Sequence, residues 1–294
     1  MTNYSFIIPH HNSPDLLNRC LNSIPQREDI EIIVVDDNSD ADKKPHVSRD
    51  DAKLIYIDAE HTKGAGRARN YGMKEARGKW LVFADCDDFF VAGFLDILDK
   101  YKDEDYEVVY HDADAVDTVT LKPLPKLLER HNAYFDAYNG NKESVDIIKF
   151  LIHSPWWKMV RRDFVEEYQI EFEPVPKGND VFFTYQVGGF AKKVAVEKKK
   201  IYIYTYNTQG ITNGKKNKLV YLSVLRNKKK SEEFYKFIGH PEWIVNGKNI
   251  WLRILKHEGV FKFMSILFSY LLNYKDIQST RMEYVESIKK RLNR

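Results

Sequence analysis

The sequence predicts an α/β protein: a mostly parallel, Rossmann-like sheet flanked by helices, with a C-terminal helical extension. Three observations carry this. Strand-like and helix-like apolar patterns alternate through the first 118 residues, which favours a parallel sheet with crossover helices. Two of those strands end abruptly in acidic turns, at 36–37 and 85–88. From about residue 215 the pattern becomes helical and lysine-rich. Residues 215–294 hold 18 Lys+Arg against 7 Asp+Glu, a surplus of +11 in a chain of net charge +3, so the remainder carries −8.

Taken in order, residues 4–9 (YSFIIP) read as the first strand. Ser13 caps a helix with Pro14 at its first position. Leu16, Leu17, Cys20, Leu21 and Ile24 recur at helical spacing, and Pro25 closes the element. Residues 30–35 (IEIIVV) form a second buried strand running into Asp36, Asp37, Asn38 and Ser39. A third strand follows near 53–57. Gly64, Ala65 and Gly66 loosen the chain before a helix carrying Arg67, Arg69, Asn70 and Lys74. Residues 80–84 are continuously apolar, as in a strand buried on both faces, and stop at Asp85, Cys86, Asp87 and Asp88. Phe94, Leu95, Leu98 and Tyr101 mark a helix, and 106–110 a strand. Residues 119–142, with two prolines and no clean period, read as an insertion or lid. A helix near 143–152, a strand at 156–160, a helix at 161–168, an apolar helix opened by Gly178, Asn179 and Asp180, and strands at 193–197 and 200–206 complete the pattern. Asn179 or Asp180 suits an N-cap.

The 294 residues suit one large domain or one plus an appendage, and 43% hydrophobic content supports a sizeable core. We divide the chain into 1–213, with halves 1–118 and 119–213, and a basic extension, 214–294. Two cysteines, Cys20 and Cys86, suggest no disulfide framework and a reducing, cytoplasmic setting. The N-terminus enters a strand with no basic region and apolar segment of a signal peptide before it. No apolar run approaches the roughly 20 residues of a membrane span.

Three carboxylates in four residues repel one another unless a cation, a polyhydroxyl ligand or water takes up the charge. Ligands of open α/β sheets bind beyond the carboxyl ends of the strands. An Asp-x-Asp there suits Mg²⁺ or Mn²⁺ holding a diphosphate; the plainer reading is a solvated turn. Crossovers of one hand bring both acidic turns to one edge, which favours a ligand site.

Five motifs, FIIPHHN at 6–12, VVDDNS at 34–39, GAGRARNYG at 64–72, FADCDDFF at 83–90 and GNDVFF at 178–183, occur in this order. Together they resemble the family 2 glycosyltransferases, enzymes of GT-A fold common in bacterial surface-polysaccharide synthesis. The resemblance covers residues 4 to about 213. It implies inverting transfer of one sugar from a nucleotide-sugar, a UDP-sugar by preference, to a hydroxyl of a glycan or lipid-linked acceptor, with Mn²⁺ or Mg²⁺. It implies donor contacts at Pro9, Asn12, Asp37 or its neighbour Asp36, Arg69, Asn70, Asp85 and Asp88. Asp87 would be the metal ligand and Asp180 the general base. Trp156, Trp157, Lys158 and Asn179 would face the acceptor, and Gln209, Ile211 and Thr212 match a loop that closes over the donor in relatives. No nucleic-acid partner is expected.

Two residues depart from the family pattern. Asn179 stands where Glu is usual before the base, and Trp157 where Asn is usual before Lys158. The Trp pair suits either a sugar platform or the core, and His10 and His11 suit either contact with the base or diphosphate or, by preference, polar loop positions. A sugar-nucleotidyltransferase would carry a glycine-rich loop after the first strand, whereas this chain has PHHNSP. The rival from another class is a non-catalytic sugar- or nucleotide-binding scaffold. In the extension, residues 260–272 are the most apolar stretch, with Lys262, Ser265, Ser269 and Asn273 as one polar stripe. That stretch suits peripheral membrane contact through 256–275, packing on the catalytic domain, or a homodimer interface.

Overall fold

β1 (Tyr4–His10) is buried at every residue, as a strand with neighbours on both edges and cover on both faces must be. In the computed structural model, which describes residues 2–47, 49–57, 64–206, 218–245, 248–273, 283 and 285–292, β1 pairs in parallel with β2 (Ile30–Asp36) and β4 (Trp80–Phe83). β3 (Ala52–Tyr56) extends the parallel run beyond β2. On the other side come β5 (Phe89–Phe90), β6 (Val108–Asp117), β7 (Lys158–Arg161) and β8 (Val194–Tyr206), in the sheet order β3-β2-β1-β4-β7-β6-β8-β5. β7 is antiparallel to both β4 and β6, and β8 is parallel to β6. The sheet is therefore mixed and mostly parallel, flanked by helices, as the alternation predicts.

The parallel trio decides where the site lies. His10 registers with Asp36, and Ile7 with Phe83. The carboxyl ends of β1, β2 and β4 thus share one edge, and both acidic turns open there. α1 (Pro14–Ser23) follows β1 and buries Leu17, Cys20 and Leu21. Ser13 does not cap it through its side chain; the hydroxyl donates to the His11 carbonyl instead. α2 (Ala65–Glu75) precedes β4, and the short α3 (Phe94–Leu98) follows it.

Three stretches differ from expectation. The 119–142 segment is no simple lid: it holds α4 (Glu129–Ala137), whose Phe135 is fully buried against Trp157, and the start of α5 (Lys142–Leu151). The strand expected at 156–160 starts later, because Pro155–Trp157 form a 3-10 turn before β7. The two strands expected at 193–197 and 200–206 are one. β6 registers His111 with Glu197 but Asp112 with Lys200, so Lys198 and Lys199 form a bulge. Exposed lysines interrupted the apolar pattern without ending the strand. α6 (Arg162–Glu167) and α7 (Asn179–Phe190) complete this unit, which spans Met1–Val175 and Asn179–Gly214.

The second unit comprises Pro176–Gly178 and Lys215–Arg294. Its core joins Tyr221 and Leu225 of α8 (Lys218–Phe237) to Ile254, Ile266 and Tyr270 of α9 (Lys248–Leu272). Asn227 of α8 donates to the carbonyls of Lys177 and Gly178. α9 is not one rod. Gly259 has φ 76° and ψ 172°, a backbone that costs a residue with a Cβ dearly. In a straight helix Trp251 and Tyr270 would lie about 28 Å apart at 1.5 Å per residue. Their ring centroids are 5.4 Å apart, and Trp251 also meets Phe263 at 5.8 Å. The two halves fold back on each other as a helical hairpin. Among the described residues no helix is long and apolar enough to cross a membrane.

Candidate active site

At the end of β2, Asp36 is 1% exposed and wholly engaged. His10 Nδ1 lies 2.7 Å from its Oδ1, Ser39 Oγ donates to the same oxygen, and Ser39 N donates to Oδ2. The Ser13 amide donates to His10 Nε2, so His10 Nδ1 is the donor toward Asp36. Burial alone would raise this carboxyl, but the hydrogen bonds from Ser39 and His10 outweigh it and hold Asp36 below its usual range. His10 is thus a buried clamp, not the polar loop residue its position suggested. Asp37 differs. Its Oδ2 accepts from Gly64 N at 2.6 Å, while its buried Oδ1 has no hydrogen-bond partner among the described residues. Of the two acids offered for the nucleoside, Asp37 has the oxygen to spare. Pro9 is buried in β1 beyond Ile7, the last residue of that strand to register with β4. Asn12 adopts φ 55°, a left-handed conformation that Asn tolerates, and exchanges hydrogen bonds with Asp40.

The turn after β4 sorts its carboxylates more sharply. Asp88 is fully buried: Tyr202 OH donates to Oδ2 and Thr205 N to Oδ1. Burial, then the charges of Asp87 and Asp85, push its pKa well up. This corrects the donor-contact role expected of Asp88: both oxygens are spent tying β8 to the turn. Arg19 Nη2 and Thr205 Oγ1 fix the Asp87 carbonyl, each at 2.6 Å. The Asp87 carboxylate makes no ion pair among the described residues. Burial and the charge of Asp85 raise it to about 6. Cys86, between the two acids, is a free thiol whose pKa burial pushes well up. Among the described residues no group of three His, Cys, Asp or Glu side chains forms a metal cage. A diphosphate-bound Mg²⁺ needs only one or two protein carboxylates, and Asp87, short of a counter-charge, fits that demand.

Arg69, on α2, joins this turn to α7. Its Nη2 meets Asp85 Oδ1 at 2.5 Å and its Nη1 donates to Asn179 Oδ1 at 2.9 Å, with the guanidinium over the Phe172 ring. Asn179 therefore accepts from Arg69 instead of capping its helix. Asp180 follows it, half-buried at the start of α7. The two elements come this close because residue 66 is glycine: a Cβ there would lie 2.5 Å from the Glu173 carbonyl and 2.7 Å from Asn179 Cβ. The Asn70 amide, expected to line the nucleotide pocket, is used at both ends by the Phe172 backbone.

The expected acceptor residues behave differently from Asn179. Trp156 and Trp157 are 5% and 2% exposed. Trp157 stacks between Trp156 and Phe135, and Trp156 between Trp157 and the rings of Tyr202 and Tyr204. Every face is covered, so the pair is core and offers no sugar platform. Lys158 is likewise buried; its Nζ donates to the Ile152 and Ser154 carbonyls and to Thr184 Oγ1. Burial lowers its pKa to about 7, against the opposing charge of Asp180. Sequence reasoning missed Arg19, Tyr202 and Thr205. The only available signal was the alternation of Tyr202, Tyr204 and Tyr206 on one face of β8. Gln209, Ile211 and Thr212 lie outside the described residues.

A mostly parallel sheet with two acidic turns and an arginine bridge at its carboxyl edge defines an α/β protein with a candidate ligand site at that edge. The fold matches Staphylococcus aureus TarS residues 1–349, crystallised with UDP-GlcNAc, at a TM-score of 0.62 and 17% identity, over 99% of this chain and 83% of that one. Glycosyl transferase family 2 matches residues 5–169. The chain belongs to that family, with its GT-A fold, and is related to bacterial surface-polysaccharide enzymes. The Bacillus subtilis putative glycosyltransferase EpsH is 25% identical over 228 residues, 73% of this chain and 64% of EpsH. A Campylobacter jejuni GalNAc(5)-diNAcBac-PP-undecaprenol beta-1,3-glucosyltransferase is 33% identical over 116 residues, 37% of this chain and 38% of that protein. The matches thus span less than two thirds of the length of these relatives.

Proposed function

We propose that this chain is an inverting glycosyltransferase that moves one sugar from a UDP-sugar to a hydroxyl of a glycan or lipid-linked acceptor in surface-polysaccharide synthesis. The Arg69 bridge carries the reading, because one guanidinium spans the strand-end acids and the residue beside Asp180. Transfer needs those two functions side by side. The UDP-GlcNAc held by TarS and the undecaprenol-linked substrate in the Campylobacter relative's name support the donor and acceptor classes.

In this reading Asp37 offers its spare oxygen to an N–H or O–H of the nucleoside. Asp85, oriented by Arg69, faces the sugar side. Asp87 would hold Mg²⁺ or Mn²⁺, which when bound neutralises charge developing on the leaving diphosphate. Asp180 takes the proton of the acceptor hydroxyl as that oxygen attacks. Asn179 keeps the hydrogen bond to Arg69 without the charge of the usual Glu, leaving Asp85 as the carboxylate that Arg69 meets. Free Cys20 and Cys86 suit a cytoplasmic reaction.

The test is a mass-spectrometric screen of UDP-sugars with Mn²⁺, run on wild type and Asp180→Asn. Wild type should release UDP from at least one donor. The variant should lose about 10²–10⁴-fold in turnover, the usual worth of a general base, with UDP affinity nearly unchanged. UDP binding without turnover of any donor would favour the scaffold reading, and a full-rate variant would remove the base from Asp180.

A further inference from the structure

A helix on the surface of a folded domain ordinarily has one apolar face. The second half of α9 has two. One face buries Ile266 and Tyr270 in the core with α8. The opposite face shows Phe261 at 95% exposure, Met264 at 53%, Phe268 at 64% and Leu271 at 59%. Their spacing of three, four and three places them on one stripe. The first half of the hairpin adds Leu252 and Leu255, 62% and 37% exposed. The polar stripe expected from the sequence is narrower than it looked, because Ser269 is buried and only Lys262, Ser265 and Asn273 remain outward.

We propose that the α9 hairpin is a membrane-docking surface whose outward apolar stripe enters the interface of an anionic bilayer. Charge selects this occupant. The segment 215–294 carries a surplus of +11. In the hairpin itself, exposed Lys256 and Lys262, the latter paired with Glu258, lie beside the stripe. A second copy would bring the same positive surface against itself, which opposes pairing. A soluble polyanion would answer the charge but has no use for exposed Phe261 and Phe268. Anionic headgroups over acyl chains answer both. At about 20 Å for 13 residues the helix is too short to span, so it lies in the plane of the interface.

The full chain is sedimented with phosphatidylcholine vesicles, with and without phosphatidylglycerol, at low and high salt and without donor. The result therefore stands apart from the transferase reading. Wild type should bind vesicles containing phosphatidylglycerol, more weakly at high salt. The double variant Phe261→Glu/Phe268→Glu, at exposed positions outside the described core of α8 and α9, should bind at least tenfold more weakly with an unchanged melting curve. Light scattering on both chains covers the self-association alternative. Three results overturn the proposal: no vesicle binding, equal binding by the double variant, or a wild-type dimer that the double variant dissolves.

Discussion

The turn after β2 holds Asp36 and Asp37, and the turn after β4 holds Asp85, Asp87 and Asp88. The first commits Asp36 to the protein, and the second commits Asp88 to β8 and Asp85 to Arg69; among the described residues Asp37 Oδ1 has no hydrogen-bond partner and the Asp87 carboxylate no ion pair. After β2 the committed acid comes first and stays ionised, because His10 and Ser39 donate to it. After β4 the acid committed to β8 comes last, and burial with the charges of Asp87 and Asp85 pushes its pKa well up. The comparison teaches that a run of acids has no fixed internal assignment. The donors brought by neighbouring segments decide which member is structural and which way its pKa moves.

The sharpest way to break this division is to exchange the acids of the second turn for their amides. Asp87→Asn should lower turnover by on the order of 10³-fold, the several kcal/mol that a bound metal supplies. Asp88→Asn keeps the shape of a buried acid whose pKa is already pushed well up. Its turnover should fall by less than about tenfold, within roughly 1.4 kcal/mol. Initial rates over a range of Mn²⁺ concentrations measure both. Equal losses would mean that the second turn is not partitioned.

The first turn offers a gentler contrast. Asp37→Asn should raise the donor KM by about tenfold, worth one ordinary hydrogen bond, with little change in the denaturation midpoint. Asp36→Asn should do the reverse, costing about 1–3 kcal/mol of stability by leaving buried donors poorly matched. Urea titrations and donor saturation curves separate the two.

The smallest effect is in pH. Asp36 is depressed when folded, so near and below the ordinary carboxylate pKa the unfolded chain binds the extra proton. Its contribution to stability is complete above about pH 4 and is lost as pH falls through the folded value, at no more than about 1.4 kcal/mol per pH unit. The difference in unfolding free energy between wild type and Asp36→Asn should therefore shrink on acidification. A difference that grows toward acid would reverse the assignment of charge.

The sequence made the sheet and its working edge legible because those signals are local. Continuous apolar runs marked β1, β2 and β4, and acids at their ends marked the turns. It did not reveal the partners. Thr205 reaches Asp88 from 117 residues away and Arg69 reaches Asn179 from 110, and no periodicity carries that information. Trp156 and Trp157 were ambiguous for a related reason: a Trp pair reads the same whether Phe135 and Tyr202 cover its outer faces or leave them bare. In the extension the helical pattern located 260–272, the second half of α9, but the reversal at Gly259 is a single backbone angle that apolar spacing does not encode.

Gly66 and Arg69 sit one helical turn apart on α2 and act on Asn179 in opposite senses. Contact at Gly66 works as a stop, and the guanidinium works as a tie. A stop and a tie together set a gap that neither can adjust alone. A bulkier residue at 66 would open the gap against the pull of Arg69, and a shorter one at 69 would release the tie while the stop remained. The spacing between α2 and the first turn of α7 is thus held from both sides. Any change in the room beside that gap would fall to exchange of the side chains around it, since stop and tie hold the backbone that frames it.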